Sequence, residues 1–234
     1  MDQVAPSNPI DRGRRAFGLG LAACALNACG SGALTYRFRL AIEVIDEGKL
    51  KFGSSVIEVT NWVSGGWGSS EAGGSRASDR GETAFVDLGP KGHLVPLFVF
   101  PFPGTGFLVR LAPLAFGRVY PPRISIKQLS KLKGETELRD DLLPYLAVFP
   151  NPLDPESVRL VPGTDVSAIL GSDSQFKRIY IEMTTDPPQI GNLQQRLPWV
   201  TDHQSAVRTA QKLASQGLSF GGALGDSNMF VRGK

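Results

Sequence analysis

Cysteine and histidine are almost missing from this chain: its 234 residues hold Cys24, Cys29, His93 and His203 and no others of either type. Beyond Cys29 there is no cysteine, so the rest of the chain can form no internal disulfide. Neither histidine stands in an H-E-x-x-H or H-x-H pattern, so no metal and no cofactor are expected. Within the Gly- and Ser-rich stretch 64–81 no serine falls in G-x-S-x-G and no glycine in G-x-x-x-x-G-K-[ST], so that stretch carries neither of these local signatures of acyl and phosphoryl chemistry. Both histidines therefore read as ordinary surface or loop residues. A charge bias is lacking too. Lys and Arg number 25 against 22 Asp and Glu, and no expected strand or helix gathers bases on one face, which argues against a nucleic-acid partner.

Long apolar runs are scarce. Ala16 to Ala28 is about a dozen residues, whereas a bilayer span needs roughly 20. Leu94 to Phe116 is about as long as a span, but its prolines, its glycines and Arg110 disfavour one; it reads as two core strands joined at "PFPGTG". In that turn Phe100, Phe102 and Phe107 are candidates for an apolar tip contacting a partner or membrane, against the alternative that they are core.

What is present in quantity is punctuation. With 27 Gly and 17 Pro, the chain is cut into short elements, which favours β structure. "YRFRLAIEV" alternates Tyr36, Phe38, Leu40, Ile42 and Val44 with Arg37, Arg39, Ala41 and Glu43, the period of a strand with one buried face, and the two arginines are expected in solvent. "DEGKLKFG" turns the chain into the β-branched run Ser54–Val63. Residues 64–81 are Gly- and Ser-rich and read as a mobile loop; in it Trp67 is either a binding contact or a ring folded back on the sheet. "ETAFVDLG", "HLVPLFVF" and "FKRIYIEMTTD" are further strands. Ser125–Gly134 and "GTDVSAILG" read as short helices, and Asp140 with Asp141 as a solvated turn, since adjacent carboxylates point apart. Trp199 in "LPWV" should plug the sheet. From Asp202 to Gly217, Ala206, Val207, Ala210, Leu213 and Ala214 form one stripe of an amphipathic helix, followed by a hairpin or frayed tail. The fold class expected is mainly β: an antiparallel β-sandwich or partly open barrel with two or three short helices.

The start of the chain has a different character. Arg12, Arg14 and Arg15 precede the apolar run, which stops at Leu26, Asn27, Ala28 and Cys29. This resembles the lipobox of bacterial lipoprotein precursors, and Arg14, Arg15, Ala16 and Phe17 resemble the twin-arginine export motif; Asn27 and Gly13 depart from the usual patterns. The resemblance implies cleavage between Ala28 and Cys29, lipid on the Cys29 thiol and on the new amino terminus, and residence at the bacterial cell envelope, facing the periplasm or exterior. "YRFRLAIEV", "GSSVIEV" and "RLPWV" are similar to runs in uncharacterised bacterial exported proteins, a likeness that implies no activity.

The organisation expected is an export signal over 1–28, a lipid-anchored tether over 29–35, a β-rich domain over 36–200 with its loop at 64–81, and a helix with hairpin or tail over 201–234. Function divides into two readings. One is a membrane-anchored, non-catalytic domain that binds or scaffolds an envelope protein, held to membrane lipid through Cys29. The other is an envelope hydrolase or carbohydrate-active enzyme whose first suspect is His93, and it needs a carboxylate or serine within hydrogen-bond reach of that ring.

Overall fold

The alternation of Tyr36, Phe38, Leu40, Ile42 and Val44 does build a strand, and a long one: β1 runs Gly32–Asp46. The structure is a computed structural model that describes residues 32–63, 76–101, 107–117, 124, 126–218 and 229–233. In chain order β1 is followed by β2 (Lys49–Val63), β3 (Arg76–Glu82), β4 (Val86–Asp87), β5 (His93–Pro96), α1 (Phe107–Gly117), α2 (Ile126–Leu129), β6 (Gly134–Glu137) and β7 (Leu146–Phe149). Then come β8 (Arg159–Leu160), α3 (Ser167–Leu170), β9 (Ser174–Met183), α4 (Asn192–Arg196), α5 (His203–Ser215) and β10 (Val231–Arg232). Two antiparallel sheets result, ordered β10-β3-β2-β1-β9-β6 and β4-β5-β7-β8. Neither closes into a barrel, and the architecture is β-sandwich-like.

Two apolar layers hold it. The first lies between the sheets: Phe38, Leu40, Ile42, Ile57 and Ile181 from the large sheet meet Val86, Leu94, Leu146 and Val148 from the small one, with Leu108, Leu111 and Ala112 of α1. The second covers the other face of the small sheet, where Val95, Leu97, Ala147 and Phe149 pack on Leu193, Trp199, Ala210, Leu213 and Phe230. Trp199 is the expected plug; its Nε1 donates to Pro152 O at 2.9 Å and its ring meets Phe149 and Phe230. Gly53 of β2 packs against the backbone just before β4: a Cβ there would stand 1.9 Å from Phe85 O, so only glycine fits.

Helix α5 forms as its stripe requires. Asp202 accepts from Ser205 N at 2.9 Å as N-cap, and Ala206, Ala210 and Leu213 are buried, with Thr209 completing the face where Val207 was expected. The helix and β10 thus belong to the same core as the strands. Asp165 starts α3 by accepting from Ser167 Oγ and Ala168 N, and Gly171 at φ 99° ends it. Asp140 and Asp141 are exposed, as read from the sequence.

Four expectations are corrected. First, the second half of the long apolar run is not a core strand: Phe107–Gly117 is helix α1, with Pro113 inside it. Leu108, Leu111, Ala112 and Ala115 are buried at helical spacing, and the usual cost of an interior proline is offset locally. Pro113 has no N–H for the carbonyl of Val109, and Tyr36 Oη donates to that carbonyl at 2.8 Å instead. Second, the Gly- and Ser-rich stretch is not a loop to Gly81. Arg76–Glu82 is β3, paired with Glu58–Trp62, so its order comes from a backbone ladder and needs no apolar side chains. Third, Gly32–Thr35 is not tether but strand, in register with Thr60–Val63. Fourth, the end of the tail is not frayed: β10 pairs with β3 through Val231 and Glu82, while residues 219–228, where the hairpin was expected, lie outside the described residues.

Candidate functional site

The first suspect among titratable residues is His93, and it is neither on the surface nor in a loop. It lies in β5 with 7 % of its surface exposed, which corrects the sequence reading. Its parity puts it on the face of Val95 and Leu97, toward the helical layer, and Phe85 stands against its ring at 5.7 Å. Nδ1 is 3.7 Å from Asp87 Oδ1, beyond hydrogen-bond reach, and is buried without a partner. Asp87 is engaged elsewhere: Oδ1 accepts from Gly89 N at 2.9 Å and Oδ2 from Arg196 at 3.4 Å. Burial lowers the His93 pKa, the Arg196 charge lowers it further, and the Asp87 carboxylate opposes both. The ring is therefore neutral at neutral pH. Among the described residues no serine hydroxyl bonds to it, so the set needed to activate a nucleophile is not assembled here.

A second cluster was missed by sequence reasoning. Lys91 Nζ bonds Asp46 Oδ1 at 2.8 Å and Asp173 Oδ2 at 2.9 Å, and Ser174 Oγ also donates to Asp46 Oδ1 at 2.7 Å. Burial pushes the Asp46 carboxyl up, but the bonds from Lys91 and Ser174 outweigh it and hold it below its ordinary value. The same carboxylates push the Lys91 pKa upward, so the amine stays charged and is no base. The arrangement is a clamp joining the β1–β2 turn to the start of β9. Asp46 shares parity with the core-facing residues of β1, and an acid at such a position was the signal available.

The outward face of the large sheet carries ion pairs. Arg37 and Arg39 are not free in solvent: Arg37 pairs with Glu58, and Arg39 with Asp186 and with Glu182 at 3.5 Å. Glu43, buried in the middle of this face, bonds Arg178 at 2.8 Å, and that bond is the main reason its carboxyl is held low. Arg178 also bonds Glu135 at 2.8 Å and lies over the Tyr180 ring at 4.2 Å. Residues 184–191 run along the sheet as a strap: Arg37 donates to Thr185 O, Gln189 N bonds Val56 O, and the buried Glu82 carboxylate accepts from Gly191 N and Leu193 N where α4 begins.

Large apolar side chains in solvent are few among the described residues, and three share the outward face of β2. Leu50 is 55 % and Phe52 52 % exposed, both on the outward face near the β1–β2 turn; Trp62, at the other end of β2, is 38 % exposed. Of the contacts expected from sequence, Phe100 is buried in the core and is no tip, a correction that follows from its packing between the sheets and α1. Trp67, Phe102 and the side chain of Phe107 lie outside the described residues, as do Arg14, Arg15, Phe17, Leu26, Ala28 and Cys29. His203 is exposed at the start of α5. No group of three or more His, Cys, Asp or Glu among the described residues could hold a metal, and no described helix is long and apolar enough to cross a membrane. Comparison of the chain with family models, with curated proteins and with solved structures returned no match.

Proposed function

We propose that this protein is a bacterial lipoprotein, exported through its Arg14–Arg15 signal, cut before Cys29 and held by lipid on that residue, whose β-sandwich-like domain binds or scaffolds an envelope protein without catalysing a reaction. The observation that carries the reading is the order Leu26, Asn27, Ala28, Cys29 at the end of an arginine-led apolar run, with only Gly30 and Ser31 between that cysteine and the start of β1 at Gly32. A segment made for removal thus abuts a strand made for keeping. Several acyl chains at one residue give stable attachment where one alone is marginal.

Binding is favoured over hydrolysis by two features. His93 is enclosed behind Phe85 with its carboxylate neighbour out of reach, a poor arrangement for a general base. Leu50 and Phe52 offer an apolar pair at the turn end of the long hairpin, roughly 45 Å along the strand from its start, at about 3.3 Å per residue. In this reading that pair faces away from the membrane and is the contact for the protein partner.

The test is metabolic labelling with a clickable fatty acid. Wild-type protein should carry label and sediment with membranes, and Cys29→Ser should lose both. Label retained by Cys29→Ser would sink the lipoprotein reading. A photo-crosslinker at Phe52, compared with one at the exposed His203, then tests the binding surface.

A further inference from the structure

We propose that the starting end of the large sheet rests on the bilayer surface, with the Trp62 indole in the lipid headgroup layer. The inference deepens the lipoprotein reading and rests on lipid at Cys29. Ala33 follows Cys29 by only four residue steps, a reach of at most about 14 Å, and Ala33 is the register partner of Trp62 across β1 and β2. Adding one strand spacing of about 5 Å places Trp62 within roughly 20 Å of the lipid-bearing residue even if the connection is fully stretched.

The side chains along this face are ordered as an interface requires. Trp62 comes first, 38 % exposed; next are Thr35 and Thr60, joined hydroxyl to hydroxyl at 3.0 Å; then the Arg37–Glu58 ion pair. Apolar, neutral polar and charged groups thus follow one another with distance from the anchor. Indole suits the first place, because its ring is apolar while its N–H keeps a hydrogen-bond partner among headgroups and water. The sheet then stands away from the membrane, with the Leu50 and Phe52 end outermost.

The experiment uses full-length protein purified from membranes and reconstituted in phosphatidylethanolamine–phosphatidylglycerol vesicles, with and without brominated acyl chains that quench nearby indoles. The chain has three tryptophans, and Trp199 is buried against Phe149 and Phe230. We expect brominated lipid to quench the wild type, and Trp62→Phe to lose most of that quenching, whereas Trp67→Phe keeps it. Trp62→Tyr retains an amphipathic ring on the strand and should behave like Trp62→Phe, which guards against a folding defect in one variant. Mass spectrometry of the same sample reports acylation. An acylated Cys29 with quenching unchanged in Trp62→Phe, or carried by Trp67, overturns the seating of Trp62 alone; a Cys29 without lipid overturns the seating and the lipoprotein reading together.

Discussion

Removing one oxygen atom from Tyr36 should cost this fold about 1–3 kcal/mol, the penalty of a buried polar group left without its partner. The ring is 3 % exposed, stacks beside Phe38 and sits in the main core, so Tyr36→Phe keeps nearly all its packing. What it removes is the donor to Val109 O, a carbonyl that Pro113 leaves without the usual backbone partner four residues on. Burial, with the Asp79 charge adding to it, pushes the phenol pKa upward, so the hydroxyl stays protonated and donating across the accessible pH range. With a urea m-value near 2 kcal/mol per M, the midpoint of unfolding should fall by roughly 0.5–1.5 M. The decisive comparison is a double-mutant cycle with Pro113→Ala, which restores a backbone N–H to α1. In that background Tyr36→Phe should cost less than half as much, because Val109 O regains a donor. Equal costs in the two backgrounds would refute the idea that Tyr36 completes a helix broken by proline.

Acid should weaken the domain through His93. Its folded-state pKa is depressed by burial, so the stability tied to its neutral form is whole above the unfolded value of about 6.5 and is lost as pH falls below it toward the folded pKa. His93→Leu should flatten the change in melting temperature between pH 7 and pH 5; an unchanged slope would remove His93 from the account. At the clamp, Lys91→Met should destabilise the protein more than Asp173→Asn, since it strands the buried Asp46 carboxylate, whereas Asp173 is half exposed and can turn to water. Urea midpoints in the reverse order would show that Asp46 is compensated by Ser174 without the lysine.

Sequence pattern carried the fold where burial and period agree. β1 and β9 alternate core residues with outward ones, and α5 has a cap, a stripe and a terminal Gly217. It failed where order is supplied from far along the chain. β3 has almost no apolar residues and exists because β2 offers it a ladder. α1 was hidden by Pro113, whose defect is repaired by a tyrosine 73 residues before the carbonyl it serves. The burial of His93 involves Phe85, eight residues earlier, which local spacing does not reveal, although its place at the head of "HLVPLFVF" was a cue. The Lys91 clamp joins three separated segments, and only Asp46, an acid at core parity, carried a local signal, one that the reading of the sequence passed over.

The strongest functional signal of the chain concerns where the molecule sits. The most direct test is the amino terminus of protein recovered from the membrane fraction of cells producing it. The account predicts an N-terminal peptide that begins at Cys29 and carries lipid on its thiol and amino group. Recovery of an unmodified peptide spanning Ala28 and Cys29 from mature, membrane-associated protein would contradict it.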